Sequence, residues 1–171
     1  MKDLKEKKYL LLDLDGVCYG KHNNYSLEKV FGQVSKRMTQ FISNRLNINL
    51  KSAKKLQTEY FYKYNTSLNG LMIHHNIPPE EFLTYVHTID LSFMKDDKIL
   101  RNELINLDME KFIFTNGSAK HAKNILTRLG VYDLFGEDKI FDIKDGGYVP
   151  KPEAKTFDLM VKKFGINPKE T

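Results

Sequence analysis

Asp13 and Asp15 stand two residues apart at the end of the apolar run Tyr9-Leu10-Leu11-Leu12, with Gly16 directly behind them. Two acids placed this closely can divide chemical work: one attacks or binds a metal while the other handles protons. The same four residues also suit an ordinary turn, in which Asp bonds to its own backbone and Gly supplies a positive φ. Thr115-Asn116-Gly117-Ser118, after a second apolar run, supplies a hydroxyl, backbone N–H groups opened by Gly117 and the start of a helix. Those features suit a phosphate, and they suit a helix N-cap equally, since both can hold together. Lys151 lies between Pro150 and Pro152, which restrict the backbone on either side and aim its ammonium.

The elements that must carry these groups follow from periodicity. The apolar run before Asp13 reads as a buried strand over 9–14, Lys111–Phe114 as a second and Ile140–Ile143 as a third. A helix is predicted from about Lys120 to Leu129, closed by Gly130, and another after Pro152 ending at Phe164-Gly165. Strand, helix, strand, helix is the pattern of a parallel α/β sheet, and ligands bind beyond the carboxyl ends of its strands. Between the first two strands lies a helical block. Ser26 opens its first helix, with Val30, Val34, Met38 and Ile42 on one face; Leu50 to Tyr64 forms the next. A shorter helix runs through Leu68, Leu71 and Met72, and Pro79-Glu80-Glu81 starts another.

The chain has 171 residues, of which 41% are hydrophobic and 12% aromatic, enough for a real core. Its charged start and four-residue apolar run offer no signal or membrane segment, so a cytoplasmic protein without a membrane partner is expected. The single cysteine, Cys18, excludes an internal disulfide and reads as a small packed residue. A net charge of +5 favours anionic partners, but the lysines are scattered and no basic stretch interleaves with aromatics as nucleic-acid modules require. No oligomeric state follows from the sequence.

Asp13-Leu14-Asp15-Gly16-Val17, Thr115-Asn116-Gly117-Ser118 and Lys151-Pro152 together resemble, in order and spacing, the first three motifs of the haloacid dehalogenase superfamily. Within it the chain is similar to the pyrimidine 5′-nucleotidase group, through Thr66-Ser67-Leu68-Asn69-Gly70-Leu71, Val86-His87-Thr88-Ile89-Asp90-Leu91 and Phe114-Thr115-Asn116-Gly117. The resemblance implies a parallel-sheet, Rossmann-like α/β core in two parts, 1–18 and 97–171, with an all-helical cap inserted over 19–96. It implies a phosphomonoesterase acting on nucleoside monophosphates. Asp13 would be the nucleophile, Asp15 the acid and base, and Thr115, Asn116, Gly117 and Lys151 would bind phosphate. Mg2+ would be held by Asp13 and Asp15. The acid at Asp15 favours a phosphatase over a dehalogenase, whose halide needs no proton.

A sugar phosphate or phosphoglycolate would suit the same motifs, because only the cap discriminates. In that cap Asn69 is expected to help choose the base, whereas Tyr60, Phe61, Tyr62 and Tyr64 are expected in its core and His74 and His75 at its surface or between helices. The superfamily's fourth motif, a further acid on a further strand, would follow Gly165–Thr171. Its absence leads us to expect a C-terminally truncated chain, short of one metal carboxylate, and raises a non-catalytic remnant as the alternative of another class.

Overall fold

The computed structural model describes residues 7–20 and 27–171. Ser26, expected to open the first helix, lies outside them. Three strands, β1 (Tyr9–Leu12), β2 (Glu110–Phe114) and β3 (Ile140–Phe141), form a parallel sheet in the order β1-β2-β3. Leu12 stands opposite Ile113, and Phe114 opposite Phe141. The strands therefore end near one another, and their following loops meet. Among the described residues β1 pairs with β2 alone. At the opposite end of the sheet, Lys8 donates its backbone N–H to the Glu170 carbonyl at 2.8 Å.

Side chains alternate across the sheet with a period of two, and each set meets a different layer. Leu10, Leu12, Ile113 and Ile140 pack with Leu104 of α5 (Lys98–Asn106) and Ala122, Ile125 and Leu126 of α6 (Ala119–Arg128). Tyr9, Leu11, Phe112, Phe114 and Phe141 pack with Met160 and Phe164 of α7 (Ala154–Phe164). Burial on both faces explains why these strands read as continuous apolar runs. The α/β class expected from the sequence is the one observed. Helix α5 went unread in the sequence, although Asp97 caps it by accepting from the Leu100 N–H at 2.9 Å.

Between β1 and α5 come α1 (Leu27–Leu46), α2 (Leu50–Tyr64), α3 (Ser67–His75) and α4 (Pro79–Val86). Their apolar faces share a second core that includes Val34, Ile42, Ala53, Leu71, Phe82 and Val86. Three of these helices end on asparagine in the left-handed region, at Asn47, Asn65 and Asn76, with φ of 52°, 62° and 50°. Asn tolerates that conformation better than other residues with a Cβ, which lets three short connections reverse the chain. The α2–α3 corner is tight: a Cβ on Gly70 would lie 2.4 Å from the Tyr60 ring. Tyr60 and Tyr64 then reach the end of α3 and bond to His75 and His74 respectively, which gives that histidine pair an interhelical role. No helix among the described residues is long and apolar enough to cross a membrane.

Candidate active site

The turn after β1 places the two acids. Leu14 is fully buried, Gly16 has φ of +86°, and the Cys18 N–H returns to the Leu14 carbonyl at 3.0 Å. Asp13 and Asp15, on either side of Leu14, both line one cavity. The Asp13 side chain is 45% exposed, and its Oδ1 accepts from the Leu14 N–H at 2.8 Å and lies 3.0 Å from Lys151 Nζ. Among the described residues no donor meets its Oδ2. Cys18 packs below, donating to the Asp13 carbonyl at 3.3 Å; burial first, then the negative charge of Asp13 and Asp15, pushes its thiol up to about 12. A thiol so protonated is no nucleophile at neutral pH.

Lys151 is aimed by two contacts besides Asp13. Its Nζ donates to the Phe114 carbonyl at 2.5 Å, and its backbone is gripped by Asn116, whose Oδ1 accepts from Lys151 N at 2.7 Å and whose Nδ2 donates to Lys151 O at 3.2 Å. The Asn116 side chain thus ties the loop after β2 to the loop before α7. The Asn116 side chain is thereby engaged with Lys151, and its backbone N–H has no acceptor among the described residues. Thr115 is buried, and its Oγ1 accepts from the Gly117 N–H at 2.9 Å.

The start of α6 also departs from the expected anion cradle. Ala119 N–H donates to Asp142 Oδ2 at 2.7 Å, and His121 N–H to the N-cap Ser118 Oγ at 3.3 Å. Asp142 Oδ1 accepts in addition from the Lys144 and Asp145 N–H groups, each at 3.0 Å. A buried carboxylate already occupies the positive end of this helix. Thr115 Oγ1, the Asn116 N–H and Lys151 Nζ remain as the groups that could face a phosphate.

From these strand ends the cavity, of about 420 Å³, continues between α1 and α2. Phe31, Val34, Ser35 and Met38 line it from α1, and Lys54, Gln57, Thr58 and Phe61 from α2, each at i, i+3, i+4, i+7 spacing. Phe61 and Tyr62, expected in the helical core, are instead 53% and 79% exposed and belong to the cavity wall. Only Tyr60 and Tyr64 of that aromatic group pack inward. Asn69 does not line the cavity: its Nδ2 donates to the Tyr64 carbonyl at 3.1 Å within the α2–α3 corner. Its neighbours Asn65, Thr66, Ser67 and Leu68 do line it.

Residues 7–171 match the family described as haloacid dehalogenase-like hydrolase. The chain belongs to that family. It is also similar to Phosphate metabolism protein 8 of Saccharomyces cerevisiae, with 28% identity over 94% of this chain and 53% of that protein. The chain spans about half the length of the curated relative it matches.

Asp13 and Asp15, both lining the cavity, would offer a cation hard oxygens, from the Asp13 carboxylate and the Asp15 backbone carbonyl. No cluster of three metal-binding side chains occurs among the described residues. One carboxylate with a carbonyl, completed by phosphate and water, is the manner in which Mg2+ is commonly held. The exposed Asp13 Oδ2 fits that chemistry, so Mg2+ suits the residues present.

Three residues near Asp15 were not anticipated as part of the site. Tyr19, fully buried, donates its hydroxyl to Asp15 Oδ1, and His121 Nε2 lies 3.2 Å from the same oxygen. His87, the residue after α4, stacks on His121 at 4.4 Å between ring centroids and 14° between planes, and its Nδ1 shares a hydrogen bond of 2.8 Å with Ser118 Oγ. Burial alone would raise the Asp15 carboxyl, but the bonds and charge from His121, the Tyr19 bond and His87 together outweigh it and hold the carboxyl below its ordinary value. Burial chiefly, and then the charge of Asp15, pushes the Tyr19 hydroxyl up, so it stays a donor. Burial, with His121 beside it, lowers His87 to about 3. The sequence signal for Tyr19 and His121 was their spacing, four residues after Asp15 and three after the N-cap Ser118. His87 stood out in the sequence only as part of the Val86–Leu91 segment that carries the resemblance, with no role attached to it.

Proposed function

We propose that this hydrolase removes phosphate from nucleoside 5′-monophosphates, pyrimidine ones first, through an aspartyl-phosphate on Asp13 with Mg2+ as cofactor. The supporting observation is the continuity of one cavity from Asp13, Thr115 and Lys151 to the aromatic groups Phe31, Phe61 and Tyr62. A phosphate at one end and a planar ring at the other match those two chemistries. In this reading residues 19–96 act as the cap and 1–18 with 97–171 as the core.

Asp13, through its open Oδ2, attacks phosphorus, and the bond from phosphorus to the ester oxygen breaks as the aspartyl-phosphate bond forms. Asp15 gives its proton to the departing alkoxide. Its carboxyl is ionised in the free protein; the charge of a bound phosphate beside it favours the protonated form. The carboxylate then takes a proton from water, whose oxygen attacks phosphorus and releases Asp13. Lys151 Nζ and the Asn116 N–H stabilise charge on the phosphoryl oxygens. Mg2+, when bound, neutralises phosphate charge so that one anion can approach another.

The wall facing the ring has a directional chemistry. Ser35 Oγ accepts from Lys54 Nζ at 2.8 Å and from Gln57 Nε2 at 3.1 Å, while Gln57 Oε1 accepts from Thr39 Oγ1 at 2.6 Å. With both lone pairs used, Ser35 can only donate, and Lys54 carries donors alone. Donors suit a ring carbonyl, which uracil and cytosine have and adenine lacks. Phosphate release from UMP, CMP, AMP, glucose 6-phosphate and phosphoglycolate, with Mg2+ and with EDTA, tests the reading. UMP and CMP should lead, and Asp13→Asn should abolish release. Preference for the sugar phosphate or phosphoglycolate would replace the nucleotidase by another small-substrate phosphatase, and no release from any would favour a non-catalytic role.

A further inference from the structure

We propose that His121, braced by His87, is the positioning residue that holds the Asp15 carboxyl in line with the leaving oxygen; this rests on the phosphatase reading above. Two donors converge on one oxygen of Asp15. Tyr19 Oη and His121 Nε2 both meet Oδ1, and among the described residues no donor reaches Oδ2. The carboxyl plane is therefore fixed, and Oδ2 is the oxygen left for proton transfer.

The His121 ring is 1% exposed, and its Nδ1 has no hydrogen-bond partner among the described residues. An ionised Asp15 only accepts, so Nε2 carries a proton, and Nδ1 is left as a buried polar atom without a partner among the described residues. Leaving such an atom unpaired in the interior destabilises the fold. A residue present for packing alone would not carry that cost, because a hydrocarbon ring would fill the space without it. The single polar attachment of the His121 ring among the described residues is to Asp15, and this is what the cost sustains.

The ring cannot swing away from Asp15 because both of its neighbours are fixed. His87 lies flat against it and is anchored to Ser118, while the Gly117 backbone closes the adjoining side, where an added Cβ would stand 3.4 Å from His121 Cδ2. His87 follows α4 in the helical block, whereas His121 and Ser118 belong to α6 and its cap. The bracket is thus built from two parts of the molecule, and the acid is fully aimed only when both are in place.

The test compares leaving groups. An alkoxide such as a nucleoside needs the proton of Asp15, whereas 4-nitrophenolate leaves without it. The parameter kcat/KM reports the steps through alcohol release and excludes hydrolysis of the aspartyl-phosphate, which is common to both substrates. His121→Phe keeps ring volume and stacking but deletes the donor; His121→Gln restores an N–H. We expect His121→Phe to lower kcat/KM for UMP by about 10²-fold, within the usual span of acid catalysis, and for 4-nitrophenyl phosphate only a few-fold. His121→Gln should recover part of the UMP loss, and His87→Leu should reproduce the pattern more weakly. The melting temperature of His121→Phe should not fall.

Equal losses on both substrates, or none, would overturn the proposal; so would a Gln variant no better than Phe. An unchanged substrate ratio in His87→Leu would overturn the bracing role of His87. Should His121→Phe not fold, the ratio measured with His121→Leu, which also lacks the donor, decides, and a ratio equal to that of the unmodified protein would overturn the proposal. If the unmodified protein hydrolyses neither substrate, the phosphatase reading itself fails, a result distinct from any change in the ratio.

Discussion

Asn116 and Lys151 exchange two hydrogen bonds, amide to backbone, across the loops that follow β2 and precede α7. The Asn116 side chain thereby sets the backbone position from which the Lys151 ammonium reaches Asp13. Lys151→Met should therefore lower turnover by about 10²–10³-fold, the usual cost of losing one donor to developing charge. Asn116→Ala should raise KM and lower kcat together, because it misplaces Lys151 without removing it. Steady-state kinetics on UMP separate the two; an Asn116→Ala enzyme with unchanged kinetics would refute the tie.

The cavity wall predicts selectivity without loss of chemistry. Lys54→Met and Ser35→Ala each remove a donor from the wall, and each should reduce the preference for UMP over AMP by about fivefold, the change that a lost contact worth ~1 kcal/mol makes, while rates on 4-nitrophenyl phosphate stay nearly unchanged. A preserved UMP to AMP ratio in both variants would show that the ring is read elsewhere.

The stability of the protein should decline in mild acid on account of His87. Its folded value is lowered to about 3, whereas an unfolded histidine takes a proton near ~6.5. Between those values the unfolded chain binds the extra proton, so the contribution is complete above the upper value and is lost as pH falls toward the lower. Thermal melts at pH 7, 5.5 and 4.5 should show a steeper fall for the unmodified protein than for His87→Phe. Parallel falls would assign the acid sensitivity to other groups.

Gly70 has no room for a side chain. Gly70→Ala would put a methyl 2.4 Å from Tyr60, and repacking a tight core typically costs about 1–3 kcal/mol. Urea unfolding at unchanged slope should register that loss; a neutral result would mean that the Tyr60 ring can move and that the α2–α3 corner is looser than its geometry.

Asp142 gathers three N–H groups, one from the first residue of α6 and two from the loop after β3. Asp142→Ala should destabilise the protein by at least ~1–2 kcal/mol, the upper range for a helix cap, because the donors it leaves are largely withdrawn from water. Denaturant titration of Asp142→Ala beside Asp142→Asn, which keeps an acceptor, would reveal whether the carboxylate charge or its hydrogen bonds matter more.

What could be read in the sequence was what depends on short-range pattern. Asp13 and Asp15 follow a strand that is apolar on both faces, and Lys151 is locked between prolines, so their convergence at the sheet's end was legible. Pro79, Gly130 and Gly165 marked helix boundaries for local reasons. The rest depended on distances that no local pattern encodes. His87 and His121 are 34 residues apart in sequence, yet their rings stack. Asn116 chose Lys151 rather than solvent because a β-strand and a loop were brought side by side. Phe61 and Tyr62 share a helix with Tyr60 and look alike beside it; only the angle of α2 against α1 decides which rings face outward. Asn69 is turned from the cavity for the same reason, since its amide finds a carbonyl within its own corner.

The helix faces that wall the cavity contribute nothing to the strand-end turns, and those turns contribute only its floor. Substitutions along Phe31, Ser35, Lys54, Gln57 and Phe61 can therefore accumulate without disturbing Asp13, Thr115 or Lys151. Such a protein can change diet by mutation on two helices while its reaction stays the same, so related chains could diverge in what they consume long before they diverge in how.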